Sequence, residues 1–184
     1  MTTEELEAGL EEIRQAPAEA GRVQMLARRP TRDERDTPPE IVVDVVEGVV
    51  GDNWRTRGSS STPDHSADSA AQVTMMNARS TALLSCGDCG RWKLAGDQIY
   101  VDFDLSTSNL PPGTLVRVGS AVLEISAKPH TGCAKFVERF GRAALRFVNS
   151  PSGRELRLRG VNCRVVVSGV VRLSDTITKE VPPQ

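Results

Sequence analysis

Residues 114–126 read TLVRVGSAVLEIS, and this stretch decides the fold. Two Val- and Leu-rich segments flank Gly119-Ser120, and a glycine-containing pair between two such segments signals a β-hairpin. Just upstream, IYVDFDL (99–105) alternates. Ile99, Val101, Phe103 and Leu105 fall on one side, with Tyr100, Asp102 and Asp104 on the other. Successive side chains of a strand point to opposite faces, so the alternation predicts a half-buried strand.

Working outward, Val23–Ala27 and QVTMM (72–76) predict two more strands. IVVDVVEGVVGDNW (41–54) is either one bent strand or a strand followed by a short turn, since Gly48 and Gly51 interrupt it. Residues 154–175 supply further β structure with glycine breaks, and within RELRLR (154–159) alternation sets Arg157 and Arg159 opposite Leu156 and Leu158. About six to eight short strands in all predict a mainly β chain, a barrel with peripheral helices.

Residues 3–16 predict an amphipathic helix. Leu6, Leu10 and Ile13 recur at helical spacing, Thr2 and Glu5 have capping-box spacing, and Pro17 lies just past the end. NARSTALLS predicts a short helix, and a longer one is expected around 132–148. The run 55–71 is rich in Ser, Asp and Ala. It exceeds ordinary loop length, which predicts either a lid or a disordered segment.

With 184 residues, the chain is expected to form a single domain over 1–184. Its net charge of −1 calls for no nucleic-acid or membrane partner. The acidic, polar start lacks the basic and apolar regions of a secretion signal. Four cysteines are too few for a disulfide scaffold. Together these features predict a cytoplasmic protein with reduced thiols.

KPHTGCAKF (128–136) places Cys133 at a helix start, with Thr131 or Gly132 as the expected N-cap and Gly141 as the expected C′ residue. Unpaired N–H groups at a helix start and basic neighbours such as His130 and Lys135 favour a thiolate, the form that attacks or ligates metal. The same spacing puts Cys133 in line with Phe136, Val137 and Phe140. Spacing alone therefore also allows an inert, packed cysteine.

The order of GDNW (51–54), VTMMNARS (73–80), residues 95–126, PHTGCAKF (129–136) and residues 158–175 resembles a MOSC domain, the C-terminal domain of molybdenum cofactor sulfurases, most closely its small stand-alone bacterial type. The resemblance implies a MOSC-like β-barrel and a role for Cys133 as catalytic residue and molybdenum ligand, or as a sulfur carrier. It implies the molybdenum cofactor, molybdopterin, held through its phosphate by His130, Lys135, Arg79 and Asn162, with Arg139, Arg142 and Arg159 as lesser candidates. Stand-alone relatives include reductases of N-hydroxylated compounds, which implies an oxidoreductase with an electron-donor or sulfur-donor protein as partner. A non-catalytic cofactor or sulfur carrier is the alternative. The chain has no room for a pyridoxal-phosphate domain. In LAGDQIYVD, Asp97 departs from the family pattern, and no role transfers to it.

Cys86 and Cys89 in SCGDCG form one C-x-x-C, half of a zinc site. Gly87 and Gly90 disfavour a redox dithiol at a helix start. Cys163, in a Val-rich run, is expected in the core. Asp52 and Trp54 are expected to shape a turn near the pocket.

Overall fold

A computed structural model describes residues 2–180. Its strands in chain order are β1 (Ala20–Leu26), β2 (Glu40–Asp44), β3 (Gly48–Val49), β4 (Val73–Asn77), β5 (Ile99–Asp102), β6 (Leu115–Val118), β7 (Ala121–Ile125), β8 (Val161–Val167), β9 (Gly169–Arg172) and β10 (Thr176–Lys179). The helices are α1 (Thr3–Ala8), α2 (Leu10–Arg14), α3 (Trp54–Arg57), α4 (Ala78–Leu84), α5 (Ala134–Asn149) and α6 (Pro151–Glu155). Seven strands close a barrel in the order β1-β10-β6-β7-β8-β4-β5, and β3-β2-β9 form a small second sheet.

The 114–126 hairpin is present in the expected register, from Leu115 opposite Glu124 to Val118 opposite Ala121. Among the described residues, only β4 and β5 pair in parallel. A parallel pair needs a crossover, which α4 and the 3₁₀ turn Cys89–Ala95 provide. β1 pairs with β10 on one side and β5 on the other, so it closes the seam. The run 41–54 resolves as strand, turn and strand.

Side chains pointing inward fill the barrel, among them Val23, Met75, Val101, Phe103, Leu123 and Ile177. Cys163 lies there too, fully buried, and burial pushes its thiol up to about 12. A second apolar layer joins the helices to the outer face of β4 and β5, through Leu6, Ile13, Met76, Tyr100, Phe136 and Phe147. That layer corrects the half-buried expectation for residues 99–105. Tyr100 is as buried as Ile99, and its hydroxyl donates to the Trp92 carbonyl at 2.7 Å.

The N-terminal helix has its capping box, with Glu5 N–H donating to Thr2 Oγ1 at 3.2 Å and Thr2 N–H to Glu5 Oε2 at 2.7 Å. It is split at Gly9, where a Cβ would stand 2.6 Å from the Leu83 side chain. α5 is interrupted at Gly141, whose φ of 86° and ψ of 169° suit glycine alone. The expected loop 55–71 begins in α3 and ends in a 3₁₀ turn at Ser69–Ala71, and the segment between is closed on itself by Thr62, whose hydroxyl donates to Ser59 and Ser66 carbonyls. Lys128 anchors the loop through Ser61 and Asp68.

The RELRLR segment departs from expectation. Residues 154–155 end α6 and the chain then turns, with Arg157 at φ 48°. No outward strand face forms, and Arg159 points inward, 6% exposed.

Candidate functional site

Cys133 is the N-cap of α5, with extended backbone (φ −119°, ψ −179°), and it is exposed. An N-cap residue is only half in the helix, so its side chain leaves the line set by Phe136 and Phe140. Phe136 packs inward at 2% exposure with Phe140 against it, ring centroids 4.9 Å apart. The packed reading of Cys133 is thereby removed, and the expected N-cap moves from Thr131 or Gly132 to Cys133 itself.

Two residues on, Lys135 reaches a cleft of about 590 Å³. Its other walls carry Arg29, Arg32, Arg35 and Arg57, with Asp33 the one carboxylate among its lining residues. The cleft is built from two loops locked together. Arg28 pairs with Asp36, closing the 28–36 loop. The buried Asp52 carboxylate accepts from the Arg29 amide at 2.9 Å, from Arg29 Nε and Nη2 at 3.0 and 3.1 Å, and from the Trp54 amide at 2.9 Å. The GDNW turn therefore shapes this cleft, with Asn53 on its wall.

Asp52 neutralises Arg29, and Asp33 pairs with Lys135 at 3.2 Å. Arg35 and Arg57 have no carboxylate partner among the described residues. Burial, followed by the like charges of Arg29 and Arg139, pushes Arg35 below the usual arginine value. Arg35 Nε is buried with no hydrogen-bond partner. Uncompensated guanidinium groups in a partly dry cleft suit a phosphate-sized anion.

Behind Cys133 the chemistry is different. The fully buried Asp97 carboxylate meets His130 Nε2 at 2.9 Å and Arg159 Nη1 at 2.6 Å. Arg159 also donates to the Ala95 carbonyl at 2.9 Å and lies over the Phe136 ring at 5.2 Å. Burial alone would raise Asp97, but the charge of Arg159 and the hydrogen bonds from His130 and Arg159 outweigh it and hold the carboxyl well below the usual carboxylate range. Burial and the charge of Arg159 push His130 down against the opposing pull of Asp97, so the imidazole is neutral at neutral pH. An ionised Asp97 can only accept, so Nε2 carries the ring proton and Nδ1 keeps its lone pair. Asn162 on β8 fixes the turn that leads to Cys133, donating to the carbonyls of Lys128 at 3.1 Å and Pro129 at 3.2 Å.

The expected site residues thus separate. Lys135 lies on the cationic cleft, while His130 and Asn162 line a second cavity that shares no lining residue with it. Arg79 lies on neither. It pairs with Asp102 at 2.7 and 3.2 Å and donates to the Glu12 carbonyl at 2.9 Å, tying α2 to β5. Arg139 donates to the Leu94 carbonyl, and Arg142 is exposed on α5. Cys86 and Cys89 are exposed, and no group of three metal-ligating side chains gathers among the described residues. Sequence reading missed Arg29, Arg35, Arg57 and Asp97. The one available signal was the density of arginine in RRPTRDER, directly after a predicted strand.

No protein-family model matches the sequence, and no curated protein does. Solved structures do match. The YuaD protein from Bacillus subtilis superposes with a TM-score of 0.65 at 16% identity, over 86% of this chain and 94% of that one. YiiM from Escherichia coli gives 0.55 at 14% identity, over 89% and 71%. YiiM from Geobacillus stearothermophilus gives 0.56 at 11% identity, over 88% and 75%. At such identities the likeness carries the fold alone, a MOSC-like β-barrel with peripheral helices. No helix among the described residues is long and apolar enough to cross a membrane.

Proposed function

We propose that this chain is a MOSC-type domain that holds a molybdenum–pterin cofactor in the cationic cleft, with Cys133 as its sulfur ligand or persulfide carrier. The observation that carries the reading is the unpartnered, buried Arg35 Nε among like charges, on a cleft reached from the exposed Cys133 by Lys135. The donor set fits the group. Guanidinium and ammonium groups suit a pterin phosphate, and a soft thiolate suits molybdenum. Arg35, Arg57 and Lys135 would hold the phosphate, Arg29 is kept in place by Asp52, and Cys133 would ligate the metal. Such a cofactor supplies oxygen- or sulfur-transfer chemistry when bound.

The chain's own residues set the conditions. Asp97 and Asn162 hold the 128–133 turn from two sides, so the sulfur sits at a fixed helix start. The exposure of Cys133 also favours a carrier that passes cofactor or sulfur to a separate protein. In the oxidoreductase form, an electron-donor protein would serve reduction of N-hydroxylated compounds.

Protein purified from a cofactor-producing host is expected to contain pterin and molybdenum. Cys133→Ser should lose molybdenum at least tenfold, and Arg35→Gln should lose pterin. Full molybdenum content in Cys133→Ser would sink the ligand role. Persulfide on Cys133 by mass spectrometry, without turnover of a hydroxylamine, would favour the carrier.

A further inference from the structure

The second cavity, about 450 Å³, is a separate chemical environment. That volume is within the range of small-molecule sites. Its lining residues include Lys128, Arg154, Arg157 and Arg159 and no carboxylate. Two of these charges are already neutralised, Lys128 by Asp68 and Arg159 by Asp97. The other two are not. Arg157 donates to the carbonyls of Leu105 and Leu110 at 3.4 and 2.6 Å and has no carboxylate partner among the described residues. The Arg154 side chain has no hydrogen-bond partner among them. Arg159, more than nine-tenths buried on the same wall, keeps an unpartnered Nε.

His130 completes the wall. Its Nε2 is committed to Asp97, which leaves Nδ1 as an acceptor with no partner among the described residues. The charged groups facing the ring are Asp97 and Arg159, with Arg29 farther off. A ligand that satisfies this cavity must bring negative oxygen for the arginines and a hydrogen-bond donor for Nδ1.

We propose that this cavity binds a small oxyanion carrying its own hydroxyl, such as hydrogen phosphate or a hydroxy acid, with Arg154 and Arg157 on the oxyanion and His130 Nδ1 accepting from the hydroxyl. The proposal goes beyond the cofactor reading and does not depend on it. No molybdenum, pterin or Cys133 chemistry enters.

Inorganic phosphate and sulfate make the test. Hydrogen phosphate carries an O–H at neutral pH, and sulfate carries none. The chain has two histidines, so His65→Asn leaves the His130 ring signals unambiguous by NMR. Phosphate should shift those signals saturably and bind at least about tenfold more tightly than sulfate. Arg154→Ala, at an exposed site, should weaken this binding about tenfold. Arg154→Lys should restore part of it, and Arg57→Ala, in the other cleft, should leave it unchanged. Absence of a saturable His130 shift overturns the proposal. So does equal binding of sulfate, or a loss that follows Arg57 rather than Arg154.

Discussion

The two basic regions to which the 128–135 segment contributes, through His130 and through Lys135, treat charge in opposite ways. In the Asp97–His130–Arg159 cluster, a buried carboxylate answers the guanidinium directly. In the cleft, Arg35 and Arg57 have no carboxylate partner among the described residues. A buried pair is self-contained, and breaking it leaves an uncompensated charge inside. A set of unpaired cations costs stability and is relieved only by an incoming anion. Internal neutralisation therefore marks structure, and its absence marks a place for a ligand.

The sharpest way to break this contrast is Asp97→Asn. It strands Arg159 inside and should destabilise the protein by about 3–5 kcal/mol in urea unfolding. Pairing it with Arg159→Met should recover much of that loss. If the double variant is as unstable as the sum of the single changes, the cluster is not one unit.

Next in size is a pH effect. His130 is depressed in the folded state, so as pH falls below about 6.5 the unfolded chain takes up a proton that the folded chain refuses. Stability should then fall with pH, by up to about 1.4 kcal/mol per unit until the folded imidazole also protonates. Asp97 shifts in the same sense, but its loss comes only as pH falls through and below the ordinary carboxylate range. His130→Gln should flatten the slope between about pH 6.5 and 5. An unchanged slope would assign it to other groups.

The smallest effect has the opposite sign. Arg35→Gln removes one of several mutually repelling charges, and it should stabilise the ligand-free protein by about 0.5 kcal/mol while weakening anion retention. A destabilised Arg35→Gln would place Arg35 with the structural charges and erase the contrast.

Much of the fold was legible because it rests on short-range pattern. The 114–126 hairpin, the Thr2–Glu5 capping box and the break at Gly141 each need only neighbouring residues. Burial of Tyr100 was not legible, since alternation cannot say that a helical layer covers the outer face of a strand. Arg159 failed for a related reason. The chain turns after α6, and a turn obeys no period of two. The helix start at Cys133 was legible from the Pro-His-Thr-Gly turn before it, and the structure places Lys135 on the cleft beside the GDNW turn. Arg29, Arg35 and Arg57 were missed as a group because only loop packing brings them to one cleft. No role was expected for Asp97, yet its carboxylate pairs with His130 and so ties down the turn that carries it.

The seam at β1 carries a consequence for how the molecule is made. A strand near the start of the chain is held by β10, near its end, and by β5, in its middle. Closure therefore depends on pairing strands far apart in sequence, the kind of contact that slows folding, and a truncation that removes β10 should expose the edges of β1 and β6 to aggregation.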